Sequence, residues 1–285
     1  MVNMRSNVTL NDRNHNHRRA YLSIGNNSLT VTKIEYSNPK IETGLDGFKI
    51  VHISDLHNHR FGASQSKLVL AVWEQRPDII VVTGDSIDRR RTDIKAAMEF
   101  YDQAVMIAPV CFVTGNHEEL SGRYDEFKTR LISAGVCILE NRLVTLNHKG
   151  SLIKLIGLSD ACSFGFVTKL EAPKALSSIR NTLKDLTIGD SCFSILLTHR
   201  PEFIDIYSEC GVDLVLSGHA HGGQVRLPFI GGLFAPGQGV FPRYTSGIYY
   251  AGKTAMVVSR GLGNSIFPLR MFNPPDIVSL TLTSK

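Results

Sequence analysis

The chain has 285 residues, 43% of them hydrophobic, enough to bury the core of one large α/β domain or two small ones. Its formal charge of +5 and pI near 8.9 are mildly basic, and the cations are scattered apart from Arg89, Arg90 and Arg91 and a cluster at Arg18 and Arg19. That bias is too weak to argue for specific nucleic-acid binding, but it suits an anionic substrate.

Residues 1–20 are rich in Asn, Arg and His and lack an apolar core, so they read as a flexible tail rather than a signal peptide. His15 and His17 within it read as solvated. Residues 21–285 read as a single domain. No run reaches transmembrane length. Cys111, Cys137, Cys162, Cys192 and Cys210 are odd in number and widely spaced, with no CxxC pair. They read as buried free thiols in a reducing compartment. The expected location is therefore the cytoplasm, with peripheral membrane contact left open.

Short runs rich in Val and Ile predict strands over 48–54, 78–83, 110–114, 152–158, 193–198, 212–217, 255–259 and 276–282. Helical spacing predicts helices over 66–76, stopped by Pro77, and over 92–105, 123–135, 172–185 and 201–211. Gly135 is the expected C-cap of the third helix. This alternation argues for an α/β fold. Residues 222–254 break the pattern. They are dense in Gly, Pro and aromatics and read as a long irregular loop or short hairpins.

Five of these apolar runs end in a carboxylate, an amide or an imidazole. They lead into Asp55 and His57, into Asp85, into Asn116 and His117, into His199, and into His219 and His221. Sites in α/β sheets form beyond the carboxyl ends of strands, so the five tips are expected to converge. Their oxygen and imidazole donors, without thiolate, suit Mn, Fe, Zn or Ni. They are too many for one tetrahedral zinc. Two ions about 3.5–4 Å apart, sharing a carboxylate, would use them all. That is the arrangement of hydrolytic phosphate chemistry, in which a metal-bound hydroxide attacks phosphorus in line.

The ordered blocks are D-x-H at 55–57, G-D-x-x-D at 84–88, G-N-H-E at 115–118, a lone His at 199 and G-H-x-H at 218–221. Together they resemble the calcineurin-like metallophosphoesterase superfamily. Similarity at 45–57, 218–229 and 258–270 extends to its bacterial YkuE/YaeI-type branch. The resemblance implies a four-layer αββα sandwich of two mixed β-sheets flanked by helices. It implies that Asp55, His57 and His221 bind one metal, that Asn116, His199 and His219 bind the other, and that Asp85 bridges them. Manganese is the expected metal. His117 would lie near the leaving group as general acid or phosphate contact. Stretch 84–90 lacks the Gly that follows Arg in the Ser/Thr protein phosphatase signature, which lowers that reading.

Other polar residues read more plainly. Asp88 supports the site through hydrogen bonds, Glu118 and Glu119 are rim or helix-start carboxylates, and Asp160 is a sixth polar tip outside the ligand set. His52 reads as a satisfied core histidine and His148 as a surface turn. His59 and Arg60 face phosphate or solvent. The expected activity is a dimetal phosphodiesterase, acting on a small phosphate ester or a lipid-linked phosphodiester. The alternatives are a phosphomonoesterase or protein phosphatase on the same centre, and a non-catalytic scaffold. The aromatic stretch 225–250 is either a lid or pocket wall for an apolar substrate tail, or a hydrophobic subcore or dimer contact.

Overall fold

In the computed structural model, which describes residues 28–166, 171–188, 192–227, 229–264 and 270–284, every expected strand forms. The tail expected over 1–20 lies outside the described residues. The first sheet has the order β1 (Thr30–Ser37), β16 (Asp276–Thr283), β2 (Lys49–Ile53), β3 (Ile79–Thr83), β4 (Val110–Val113) and β5 (Cys137–Ile138). The second has the order β14 (Gly247–Ala251), β15 (Thr254–Val258), β9 (Leu214–Ser217), β8 (Phe193–Leu197), β7 (Ser151–Gly157) and β6 (Arg142–His148). Each is mixed. β2 to β5 run parallel and β16 lies antiparallel to β2, while β7, β8, β9 and β15 run parallel between antiparallel β6 and β14.

The strands are apolar at successive positions because both of their faces are covered. In β2 and β3, Ile50, Ile79 and Val81 point between the sheets, where they meet Ile153, Leu155, Ile195 and Leu214. Their neighbours Val51, Ile53, Ile80 and Val82 point outward onto helices. These are α1 (Ser66–Glu74), α2 (Ile94–Ala104) and, after the single turn α3 (Asn116–Glu119), α4 (Tyr124–Ser133). On the other side Ile156, Leu196, Val215 and Met256 pack under α5 (Ala172–Thr187) and α6 (Ile204–Glu209). The layers are thus helix, sheet, sheet, helix, the expected αββα sandwich.

Local chemistry sets the helix ends. Asp93 caps α2 by accepting the Ala96 N–H at 3.1 Å. α4 closes at Gly135, whose φ of 90° favours glycine. Tyr101, Phe112 and Phe127 meet edge to face with centroids 5.9–6.1 Å apart. Each such pair contributes about 1 kcal/mol beyond its burial.

Three expectations change. β1, β6 and β14 were not foreseen, because half-buried edge strands do not make continuous apolar runs. His148 is not a surface turn. It ends β6, half-buried, with its ring 4.9 Å from that of Phe48. The cysteines are all free, but only Cys111 and Cys210 are buried, and Cys137 is exposed because β5 is an edge strand. The 222–254 region forms short hairpins, β10 (Arg226–Leu227) with β11 (Gly231–Gly232) and β12 (Phe234–Ala235) with β13 (Gly239–Val240), before β14 begins. Among the described residues no helix is long and apolar enough to cross a membrane.

Candidate metal centre

The carboxyl ends of β2, β3 and β4 in one sheet meet those of β8 and β9 in the other. The loops that leave them are tightly bound to each other. Asp55 N–H donates to Gly84 O at 3.0 Å, His57 N–H to Asp85 O at 3.0 Å, and Gly218 N–H to His199 O at 3.1 Å. Across the sheets, His219 N–H reaches the Asp55 carboxylate at 3.2 Å. The approach is so close that a Cβ on Gly115 would stand 2.2 Å from Asp85 Oδ1, and one on Gly218 1.8 Å from Ser54 Oγ. Only glycine allows these contacts.

The backbone is strained at the same residues. Asp55, His57, Asp85, His219 and His221 all have positive φ, between 46° and 65°. For residues with a Cβ this costs about 1–3 kcal/mol each, and it persists where the surroundings enforce it at a working site.

The side chains converge in two buried groups. Asp55, His57, Asp85 and His221 form one, with His57 Nε2 3.2 Å from His221 Nε2 and 3.6 Å from Asp85 Oδ2. Asp85, His199 and His219 form the other, with His199 Nε2 3.0 Å from His219 Nδ1 and 3.2 Å from Asp85 Oδ2. Asp85 belongs to both. Asn116 stands beside it on α3, and its Oδ1 is buried without a hydrogen-bond partner among the described residues. His199 Nδ1 is engaged with Thr83 O at 2.7 Å, which orients Nε2 toward Asp85. Facing ring nitrogens, a shared carboxylate and an orphaned amide oxygen fit two cations better than they fit one another.

The electrostatics agree. Burial holds His57, His219 and His221 below their ordinary range, which keeps them in the neutral form that ligates metal. Burial also opposes charge on His199, but the Asp85 carboxylate outweighs it and His199 is pushed up to about 10. Burial likewise raises Asp85, yet the imidazoles, His199 first, hold it well below the usual carboxylate range. The space beside Asp85 therefore favours positive charge.

A third group sits at the edge. Asp88 Oδ2 lies 3.8 Å from His57 Nδ1 and 3.7 Å from His117 Nδ1, and Asp88 is held by Arg90 at 3.0 Å. His117 Nδ1 accepts the Arg89 N–H at 3.1 Å, and its own N–H on the backbone donates to Asp85 Oδ1 at 2.8 Å. Asp88 thus faces both histidines without a hydrogen bond to either, so the expected hydrogen-bonded support is not seen, and His57 Nδ1 has no partner among the described residues. A cleft of about 470 Å³ opens here, lined by His57, Asn58, Asp88, Arg90 and Arg91. Arg90 and Arg91 give its wall the charge an anion needs.

Residues that hold the centre are less visible in sequence. Glu118 is not a rim carboxylate. It is fully buried and accepts four backbone N–H bonds, from Asp85 and Gly115 on one oxygen and from Ser86 and Ile87 on the other, at 2.7–3.1 Å. Its spacing three residues after Gly115, that of a helix-start carboxylate, was the available signal. Asp160 binds Arg200 through both oxygens at 2.8 and 3.1 Å, behind His199, and joins neither ligand group. Asn273 and Arg270 carry no local signal. Asn273 Nδ2 donates to His221 O at 2.7 Å, and buried Arg270 approaches His221 Nδ1 at 3.5 Å. Arg60 pairs with Asp93 and Glu99 at 3.0 and 2.9 Å, and His59 packs on Phe61, so neither lies among the cleft residues. His52 is only half satisfied. Its Nε2 bonds Thr83 Oγ1 at 2.8 Å, while Nδ1 has no partner among the described residues.

Residues 48–223 match the family model of the Calcineurin-like phosphoesterases, and the chain belongs to that family of metallophosphoesterases. Over 268 residues it is 35% identical to the uncharacterized metallophosphoesterase YkuE of Bacillus subtilis, covering 90% of this chain and 86% of that protein. It is 28% identical to the phosphodiesterase YaeI of Escherichia coli over 82% of each chain. It is 26% identical to the UDP-2,3-diacylglucosamine pyrophosphatase LpxG of Chlamydia muridarum, over 88% of each. The buried His and Asp clusters fit the family's dimetal site, and the YkuE/YaeI branch is the one these relatives define.

Proposed function

We propose that the chain is a dimetal phosphodiesterase. Asp55, His57 and His221 hold one cation, Asn116, His199 and His219 hold the other, and Asp85 contacts both. The observation that carries this reading is that Asp85 belongs to two separate buried groups of metal-competent side chains. The donor set contains oxygen and imidazole without sulfur, which favours manganese over softer ions. A bound pair of such cations supplies Lewis-acid charge for the phosphoryl oxygens and lowers the pKa of the attacking water.

The protein's own residues do the rest. Arg90 and Arg91 draw the anion into the cleft. His117, whose Nδ1 accepts the Arg89 N–H, keeps its proton on Nε2 and donates a hydrogen bond to the leaving oxygen. Diester chemistry is favoured by the likeness to YaeI, a phosphodiesterase, and to LpxG, a UDP-2,3-diacylglucosamine pyrophosphatase. The five free cysteines suit a cytoplasmic enzyme. Metal counting after Mn²⁺ loading tests the centre. The proposal expects two ions per chain, falling to one or fewer in Asp85→Asn. A single ion in the wild type, unchanged in Asp85→Asn, would remove the shared carboxylate from the account.

A further inference from the structure

The hairpins that follow His221 expose apolar side chains where a packed subcore would bury them. Phe229 at the tip of β10–β11 is 108% exposed, and Phe241 just after β13 is 67% exposed. Ile230 is exposed beside Phe229. Phe234 and Val240 are cross-strand partners in β12–β13, so they share one side of that hairpin, and both are exposed. The two hairpins are a single unit. Leu233 N–H donates to Val225 O at 2.9 Å, and Phe241 N–H to Leu233 O at 2.9 Å. They also stand on the ligand turn. A Cβ on Gly223 would lie 2.3 Å from Gly232 Cα, so the backbone of β11 touches the turn that carries His221.

The charge of this segment is one-sided. Residues 214–275 contain Arg226, Arg243, Lys253, Arg260 and Arg270 and no Asp or Glu. Arg243 is exposed beside the hairpins, 5.2 Å over the Tyr244 ring. Two carboxylates approach from the neighbouring chain segment. Glu202, beneath Gly237, is half-buried and faces Arg200 at 3.4 Å, and Asp205 is exposed near Tyr244. Of the segment's cations only Arg243 is exposed on the hairpins themselves, while Arg226 and Arg260 are half-buried and Arg270 is buried. The outer surface of the hairpins is therefore aromatic, with one exposed arginine and no carboxylate of its own, a combination that can seat a protein in an anionic membrane surface. A second copy fits poorly. A two-fold contact would offer exposed Arg243 no carboxylate from the facing segment to pair with.

We infer that the β10–β13 hairpins are a docking surface for an anionic lipid bilayer, which sets the neighbouring metal centre at headgroup level. On the phosphoesterase reading above, on which this part rests, the substrate is then a lipid-borne phosphoester whose headgroup enters the cleft while its tails stay in the bilayer.

Flotation with vesicles tests this without relying on turnover. Vesicles of phosphatidylcholine alone are compared with an equal mixture of phosphatidylcholine and phosphatidylglycerol, for the wild type and for the double variant Phe229→Ser, Phe241→Ser. Both side chains are exposed, so the variant keeps its packing. The expected result is binding to the mixed vesicles that weakens with salt, and falls at least about tenfold in the double variant. Turnover of soluble bis(p-nitrophenyl) phosphate should stay unchanged in that variant. Failure of the wild type to float with anionic vesicles would overturn the docking surface. So would a dimer in sedimentation that the double variant dissolves, because a second copy would then cover the face. Vesicle binding by a protein inactive on every phosphoester would instead keep the docking surface and overturn the enzymatic reading.

Discussion

At the scale of single residues, the most informative side chain is one that touches no substrate. Glu118 gathers four backbone N–H groups from the two loops that carry Asp85 and Asn116. Burial and the neighbouring Asp85 push its carboxyl up to about 8, against those four donors. In Glu118→Gln an amide NH2 would face two backbone N–H groups and leave both unpaired. This should destabilise the protein by about 2–4 kcal/mol and weaken metal binding, read by urea unfolding and by Mn²⁺ titration. Unchanged stability would mean that the loops hold themselves. His52 makes a separate prediction. Burial lowers it to about 3, so the folded chain refuses a proton that the unfolded chain accepts below about pH 6.5. Its contribution to stability is whole above that pH and is lost as pH falls toward 3, by about 1.4 kcal/mol per pH unit. Unfolding measured at pH 7, 6 and 5 should slope less in His52→Asn than in the wild type. Equal slopes would contradict the assignment. The ligand candidates were legible because each ends an apolar strand with a polar tip. Glu118 was legible as a helix-start carboxylate, but not as the buried acceptor of Ser86 and Ile87, because those partners lie about thirty residues upstream and are backbone.

At the scale of elements, strands buried on both faces could be read directly, since covering both faces makes every position apolar. β1, with its polar alternation, and β6, half-buried along its length, sit at sheet edges and left no such run. The stretch 225–250 was open to two readings in sequence, because aromatic residues look alike whether they pack or protrude. It divides: Phe229, Ile230, Phe234 and Phe241 are exposed, while Tyr244 is buried in the core with Ala235 and Tyr249 packs against it. The turn after β8 adds a load-carrying ion pair that composition does not reveal. Arg200 and Asp160 are buried together behind His199. Arg200→Met would leave Asp160 buried and uncompensated, with an expected loss of about 3–5 kcal/mol. Thermal unfolding checks it, and a loss below about 1 kcal/mol would place the pair with ordinary surface ion pairs.

At the scale of the whole molecule, neither sheet makes the centre alone. The first supplies Asp55, His57, Asp85 and Asn116, and the second supplies His199, His219 and His221. Stacking the sheets with their carboxyl ends aligned is what brings seven candidate ligands from five polar tips into one buried space, and the strained backbone at five of those residues marks how firmly the stack holds them. The layer order was expected from the resemblance of the five motif blocks rather than from hydropathy, which identifies strands but not which sheet each one joins. The central claim is that this shared space hydrolyses phosphodiesters with two metals. The direct measurement compares hydrolysis of bis(p-nitrophenyl) phosphate and p-nitrophenyl phosphate by metal-stripped protein with Mn²⁺ added back, beside Asp85→Asn. The account predicts metal-dependent turnover that favours the diester and drops at least about a hundredfold in Asp85→Asn. Turnover that favours the monoester, or none on either substrate with two metals bound, would contradict it.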